Sequence, residues 1–280
     1  MVQIKAYGKI NLTLEVLGLR NDGYHEIRSI MQNVELHDIL NFELSNDNLI
    51  HLSGNNDKLK YDDTNLVIKV ATALKEYTKT TLGANIYLDK IIPLEAGLAG
   101  GSADAAATLL GLNELWNLNL DLNELMGIGA ALGSDIPFCL VGDTALVEGR
   151  GEKVTRINSP AREKLLIVKP DFGASTRLIY EKFDDIVKAD SLNHTELMIK
   201  EIGNQGDYKK FMYNDLEIVT TKLYPEVQEI LNIMHEECDI AMMSGSGPTC
   251  FAFGDDNSIK ILYDKFKGKY KDVYITSFKH

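Results

Sequence analysis

This 280-residue chain is poor in cysteine, in positive charge and in long apolar runs, and each scarcity removes a class of protein. Its three cysteines, Cys139, Cys238 and Cys250, lie far apart and form no C-x-x-C pair, so neither a disulfide framework nor a zinc site is encoded. A reducing compartment is the expectation. Lys and Arg number 29 against 41 Asp and Glu, a net charge of −12, which argues against the basic field a nucleic-acid surface needs. Any anionic ligand must therefore meet local positive charge against the global sign. No uncharged apolar run reaches ~18 residues, and no basic stretch followed by an apolar one opens the chain. A soluble cytoplasmic protein with no nucleic-acid or membrane partner is expected, and the Asn-x-Thr sequons at Asn11 and Asn193 are then chance matches.

What remains is ordinary globular composition, 45% hydrophobic and 25% charged. The length suits one large or two medium domains of ~150 residues and a sizeable core. Residues 9–17 alternate, with Ile10, Leu12, Leu14 and Val16 on one face and Lys9, Asn11, Thr13 and Glu15 on the other, which predicts a half-buried strand. Strand-like segments follow near 33–44 and 49–53, then helical spacing from Leu66 to Tyr77, and an alternating strand at Ala84, Ile86 and Leu88. Further along, the pattern predicts a helix over 122–132, a strand over 139–147, a turn at 149–153 and a strand over 165–168. Helices are expected near 175–187, 192–202, 208–221 and 225–238. The chain closes as strand, Ser244-Gly-Ser-Gly-Pro248, strand, helix and strand. Helices and strands intermix throughout, which is the α+β class with mixed sheets, and the C-terminal order resembles half of a split β-α-β sandwich.

The stretch Pro93-Leu-Glu-Ala-Gly-Leu-Ala-Gly-Gly-Ser-Ala-Asp-Ala-Ala106 organises the rest. Gly97, Gly100 and Gly101 precede Ser102, an N-cap type, and then an Ala-rich run ending near Trp116. Glycines allow positive φ and close backbone approach, and the first N–H groups of a helix have no internal partners, so such a turn suits an anion, phosphate above all. An ordinary loop and helix cap has the same composition. The Walker pattern is absent, as is a G-x-G-x-x-G after a first strand. Asp171-Phe-Gly173 stands without the H-R-D that a protein kinase requires, and His235-Glu-Glu-Cys238 reads as a solvated helix face rather than a metal site.

Three elements in order, Lys9-Ile-Asn11, the glycine stretch and Ser244-Gly-Ser-Gly-Pro248, resemble the three motifs of the GHMP small-molecule kinases. The resemblance narrows, through Asp22-Gly-Tyr-His25 and Gly133-Ser-Asp-Ile-Pro137, to members that phosphorylate the 2-hydroxyl of a cytidine diphosphate-linked methylerythritol in the non-mevalonate route to isoprenoids. Homoserine and mevalonate kinases, or a non-catalytic nucleotide-binding regulator on the same fold, are the alternatives. The resemblance implies a two-domain α+β fold: an N-terminal domain (1–156) like domain 2 of ribosomal protein S5, and a C-terminal ferredoxin-like domain (157–280). It also implies ATP and Mg2+, a small-molecule substrate, and a monomer or weak homodimer.

Residue roles follow from the same resemblance. Lys9 and Asp135 are the expected catalytic pair, Asp135 on the acceptor hydroxyl and Lys9 stabilising transition-state charge. Read without the resemblance, Asp135 caps the turn before Pro137 and Lys9 is a solvated strand residue. The nucleotide is expected at Asn65, Lys90 and the run Pro93, Leu94, Glu95, Ala96, Gly97, Leu98, Ala99, Gly100, Gly101, Ser102 and Ala103. Asn11, Tyr24, His25, Met31, Tyr180 and Gly245 are the expected substrate contacts, with Tyr180 stacking on cytosine or, alternatively, packing against Phe183. Gly245 and Gly247 let the late loop approach the site, or make an ordinary turn. Met31 stands where some relatives carry Phe, Glu95 and Ala96 replace glycines of other members, and Ala103 stands where Ser is common. Glu95 places negative charge near phosphates, turns outward or helps hold magnesium.

Overall fold

A computed structural model describes residues 1–185 and 192–280. The chain forms two compact units, neither of them contiguous: residues 1–8, 36–92 and 99–142 in the first, and 9–35, 93–98 and 143–280 in the second. Two long strands, β1 (Val2–Leu19) and β2 (His25–Leu44), contribute to both.

The first unit adds β3 (Ile50–Gly54), α1 (Leu66–Thr78), β4 (Ala84–Asp89), α2 (Gly100–Leu115), α3 (Leu122–Ala130) and α4 (Ile136–Val141). β4 pairs antiparallel with the end of β2 (Ile39 opposite Asp89, Leu44 opposite Ala84) and parallel with β3 (Ile50 opposite Ala84). The alternation at Ala84, Ile86 and Leu88 buries one face of β4, as the sequence predicts. Val67, Val70, Ala71 and Leu74 form the apolar stripe of α1, whose N-terminus Asn65 caps by accepting from Val67 N–H. α2 is buried at almost every position from Ala103 to Leu112, so small residues are needed on all sides. A Cβ at Gly111 would stand 2.4 Å from the Phe42 ring.

Two sequence expectations fail in this unit. Ser102 is not the N-cap of α2: Ala99 is, at φ 55, because the backbone turns through positive φ at Glu95, Gly97 and Ala99 and enters the helix earlier. The strand expected over 139–147 is helix α4 followed by β5 (Thr144–Gly149). The run Ile136-Pro-Phe-Cys-Leu-Val141 lacks alternation, and Pro137 sits in the first turn, where its missing N–H costs nothing.

The second unit continues with β5, β6 (Lys153–Arg156), β7 (Lys164–Lys169), α5 (Thr176–Phe183), α6 (His194–Gly203), β8 (Tyr213–Asn214), α7 (Glu217–Leu223), α8 (Pro225–His235), β9 (Ile240–Met243), β10 (Cys250–Phe253), α9 (Asp256–Phe266) and β11 (Asp272–Ser277). The turn expected at residues 149–153 joins β5 to β6, a strand the sequence reading did not include, as an antiparallel hairpin, and β5 pairs with β2 (Ile27 opposite Gly149). β8 pairs parallel with β1 at Thr13 and Leu14. A four-stranded antiparallel sheet takes the order β11-β7-β10-β9, which with α8 and α9 is the ferredoxin-like arrangement. Its core packs Leu166, Val168 and Ala252 against Val227 and Ile230 of α8 and Ile259, Leu262 and Phe266 of α9.

Here too the structure corrects the sequence. Residues 9–16 are buried on both faces, Lys9 at 4% exposure, Asn11 at 1%, Thr13 at 0% and Glu15 at 4%, because the polar face is hydrogen-bonded rather than hydrated. Thr13 Oγ1 meets Thr195 Oγ1 at 2.9 Å, and the Glu15 carboxylate accepts from the His194 N–H at the start of α6. The helix expected over 208–221 is broken into a single 3-10 turn, the short β8, and α7. Tertiary hydrogen bonds decide this: the Asn214 amide donates to Met243 O at 2.8 Å and Gly245 O at 2.9 Å. Residues 186 and 187 of the helix expected near 175–187 lie outside the described residues. Cys139, Cys238 and Cys250 are joined in no disulfide; burial pushes Cys250 well above the ordinary thiol range, which suits an unreactive core residue.

Glu217 opens α7 and accepts the Met243 N–H at 2.8 Å, and burial raises its carboxyl to about 7. The folded chain therefore holds this proton where the unfolded chain, at an ordinary 4.5, has released it. The stability contributed is complete below the unfolded value and is lost as pH rises through about 7. Urea unfolding at about pH 5 and about pH 8 is expected to show the wild type losing stability relative to Glu217→Gln, which cannot titrate. Parallel losses in the two proteins would show that this carboxyl does not titrate in that window.

Candidate active site

In the second unit, three stretches distant in sequence converge on one carbonyl. Lys9 Nζ donates to Gly97 O at 3.0 Å and to Asn11 Oδ1 at 2.8 Å. Ser244 Oγ donates to the same Gly97 oxygen at 3.0 Å, and the Lys9 N–H donates to Leu98 O at 3.0 Å. Gly245 approaches so closely that a Cβ there would lie 3.2 Å from both Lys9 Nζ and Gly97 O. Alternation along β1 puts Lys9 and Asn11 on one face, and the positive φ of Gly97 (+71°) turns its carbonyl toward them. Of the residues expected in the site, Lys9, Asn11, Gly97 and Gly245 are thus brought together.

Asn11 is held from its other end. Its Nδ2 donates to Ser29 Oγ at 2.9 Å, and that hydroxyl donates onward to Thr13 O at 2.5 Å. The amide oxygen consequently faces the Lys9 ammonium. Ser29 carries no motif and was invisible in the sequence; only the pairing of neighbouring strands places it there. The same holds for Asn214, whose amide fixes the backbone around Gly245.

In the first unit, α2 begins with no side-chain cap and no acidic residue in its first turn. Its first internal bond runs from Ala103 N–H to Ala99 O, so the N–H groups of Gly100, Gly101 and Ser102 have no partner among the described residues. Gly101 is exposed, and a Cβ there would meet nothing within 4 Å. Uncapped donors at the positive end of a 16-residue helix are an arrangement that favours negative charge. Gly100 is packed from below: its Cβ would stand 2.9 Å from Ile92 and 3.0 Å from Lys90 Nζ.

Lys90 itself is buried between two carboxylates, 2.6 Å from Asp38 Oδ2 and 2.6 Å from Asp104 Oδ2. Burial pulls its ammonium down, but the two acids outweigh it and leave it raised. Asp104 is pushed up to about 7, by burial first, with Lys90 opposing and Asp38 reinforcing. Asp38 also accepts the N–H groups of Ile91 at 2.5 Å and Ile92 at 2.7 Å. Asn65 spends its amide on Val67 N–H and Lys60 O. Asp135 occupies the N-cap position of α4, half-buried, yet makes no side-chain cap bond, so the bland capping role is not the one it plays.

The remaining expected contacts belong to the second unit. Tyr180 stacks on His25, centroids 4.9 Å apart and planes at 29°, and His25 Nε2 lies 2.8 Å from Asp184 Oδ1. Tyr24 is exposed under the Arg150 guanidinium, 5.2 Å from its ring centre. Met31 is 2% exposed, a core residue of the β2–β5 pairing. Glu95 is exposed with its carboxylate over Gly173, where a Cβ would stand 2.2 Å from Oε2; this gives Gly173 of the Asp171-Phe-Gly173 stretch a packing reason. Ala96, Leu98 and Ala103 are buried anchors of the loop, and Pro93, Leu94 and Ala99 are half-buried.

Comparison with known proteins identifies the family. The family model for the GHMP kinases N terminal domain matches residues 65–143, and that for the GHMP kinases C terminal matches residues 198–272. A 4-diphosphocytidyl-2-C-methyl-D-erythritol kinase of Caldicellulosiruptor saccharolyticus is 42% identical over 98% of this chain and 96% of its own. One from Clostridium botulinum is 44% identical over 98% and 99%. The crystal structure of a 4-(cytidine 5'-diphospho)-2C-methyl-D-erythritol kinase matches with a TM-score of 0.81 at 26% identity, covering 100% of both chains. No helix among the described residues is long and apolar enough to cross a membrane.

The two loop glycines differ in what a side chain would meet. At Gly97 a Cβ would lie 2.4 Å from Ser244 O in a left-handed backbone, so Gly97→Ala is expected to cost about 1–3 kcal/mol in urea unfolding. Gly101→Ala enters open space at a helix start and is expected to stay within about 1 kcal/mol of wild type. The reverse order would show that the strain lies elsewhere.

Proposed function

We propose, from the premise that the chain belongs to the GHMP kinases and within them to the 4-diphosphocytidyl-2-C-methyl-D-erythritol kinase family, that it transfers the γ-phosphoryl group of ATP to the 2-hydroxyl of 4-diphosphocytidyl-2-C-methyl-D-erythritol. This is a step toward isoprenoid precursors by the non-mevalonate route. The observation that carries the reading is the convergence of Lys9 and Ser244 on the Gly97 carbonyl in the second unit; the first unit supplies an α2 that starts with three unpartnered N–H groups.

The roles follow from charge and geometry. Backbone N–H groups of Gly100, Gly101 and Ser102 receive nucleotide phosphate oxygens at the positive end of α2. The bond from acceptor oxygen to γ-phosphorus forms as the bond to the β,γ-bridging oxygen breaks, through a loose transition state whose charge needs neutralising more than covalent help. Lys9, locked by Asn11 and Gly97, supplies fixed positive charge to that state. Asp135, free of a capping bond, orients the hydroxyl and takes its proton late, since a carboxylate is too weak a base to ionise an alcohol early.

Among the described residues no group of three or more His, Cys, Asp and Glu side chains could hold a metal. Magnesium keeps several waters and binds through phosphates and one or two protein oxygens. An ion arriving on the nucleotide would need only one or two protein oxygens, and the Ser102 hydroxyl in the first turn of α2 would be one of them. When bound it neutralises phosphate charge. We further read the protein as a cytoplasmic monomer or weak homodimer without nucleic-acid partners, which its acidic charge supports. The domain division proposed at 156/157 falls in the stretch between the two family-model matches, whereas the compact units part at 142/143 and neither is contiguous.

Coupled ADP release from ATP and magnesium, with the cytidine compound, homoserine and mevalonate offered in parallel, is expected to show turnover with the cytidine compound alone. Turnover with another acceptor would discard the substrate assignment, and none at all would discard catalysis. Asp135→Asn is expected to lower kcat by ~10²–10⁴ with ATP affinity nearly intact. Near-normal turnover would remove Asp135 from the mechanism.

A further inference from the structure

A residue outside every motif, Asp184, holds the ring of His25. It is the C-cap of α5, four residues beyond Tyr180, so the two share a helix face. That face holds the His25 imidazole in two ways. Tyr180 lies against the ring plane, centroids 4.9 Å apart, and the Asp184 carboxylate lies 2.8 Å from Nε2. The His25 side chain is only 9% exposed, whereas Asp184 is 45% exposed, so the ring is the enclosed member of the pair. A carboxylate can only accept, hence Nε2 carries the proton. In the neutral ring Nδ1 is then left as a lone-pair acceptor, and no other hydrogen bond of the ring occurs among the described residues.

We propose that Asp184 is a positioning residue for base selection: by holding the Nε2 proton of His25 it makes the ring present an acceptor at Nδ1, which favours cytosine over uracil. Cytosine carries an amino donor at its 4-position, and uracil carries a carbonyl acceptor there. Against a fixed acceptor, the first makes a hydrogen bond and the second sets two lone pairs face to face. A site built to pair a polar group rejects the analogue that cannot pair, because both groups are then left desolvated. Tyr180 contributes the plane and Asp184 the proton position; without the latter the ring is free to turn either nitrogen inward. The inference rests on the reading that the acceptor substrate is a cytidine diphosphate compound.

The test compares wild type, Asp184→Ala and Asp184→Asn on the cytidine substrate and its uridine counterpart, with nitrogen NMR of the His25 ring in the substrate-free protein. Asp184 is half-exposed, so both variants are expected to fold. In the Ala variant the cytidine preference in kcat/KM is expected to fall by roughly tenfold, through KM for the cytidine compound, with kcat and KM for ATP within about twofold. The ring is expected to pass from a single Nε2–H tautomer to a mixture. Asn keeps an acceptor oxygen and is expected to retain most of the preference and the tautomer. An unchanged preference, an unchanged tautomer, or a change in only one of the two overturns the inference. A wild type inert toward the cytidine compound overturns the substrate reading and base selection with it, while the ring measurement still shows whether Asp184 sets the proton.

Discussion

One carbonyl oxygen, that of Gly97, is the point that ties together distant stretches of the second unit. It accepts from an ammonium on β1 and a hydroxyl from the loop after β9, each at 3.0 Å. A single acceptor with two lone pairs so ties together residues 9, 97 and 244, separated by 88 and 147 positions. The arrangement requires the left-handed backbone at Gly97, since the space a side chain would need is filled by the Ser244 and Gly247 carbonyls. What is gained is a lysine held with little conformational freedom.

The first unit meets an analogous demand with buried charge. Two carboxylates share one ammonium at Asp38, Lys90 and Asp104, and Asp38 also takes two backbone donors at Ile91 and Ile92. The residues before the glycine turn are thereby tied to the first turns of α2 after it. Buried ion pairs are weak contributors to net stability, but removing one member is costly because an unpaired charge is left behind. The cluster is better understood as holding the helix start in place than as a source of folding energy. With one positive and two acidic groups, the raised Asp104 carries the mismatch, and its Oδ1 is buried with no partner. A chain with a net charge of −12 still offers local positive potential, since the backbone dipoles of an uncapped helix act at short range while surface acids are screened by solvent.

Much of this was legible beforehand. Period-two alternation found β1 and β4, helical spacing found α1, and the order of strands and helices after residue 240 was read correctly. Three short motifs pointed to the family. Errors arose where tertiary partners overrode local pattern: α4 read as strand because its apolar run is too short to show a period, and residues 208–221 read as one helix because nothing in their spacing announces that Asn214 is needed beside Gly245. Burial of the polar face of β1 was missed for the same reason, since alternation marks two faces but not what covers each.

Sequence alone determined the element types with strong periodicity, the glycine turn entering α2, and the family to which the chain belongs, because these depend on residue type and spacing along the chain. Tertiary structure alone decided that Ala99 rather than Ser102 starts α2, that Ser29 aims the Asn11 amide, that Lys90 lies between two acids, and that Asp184 holds His25. Each of these is a matter of hydrogen-bond direction or burial between residues distant along the chain, and a side chain's partner across the fold leaves no period or spacing in its own neighbourhood.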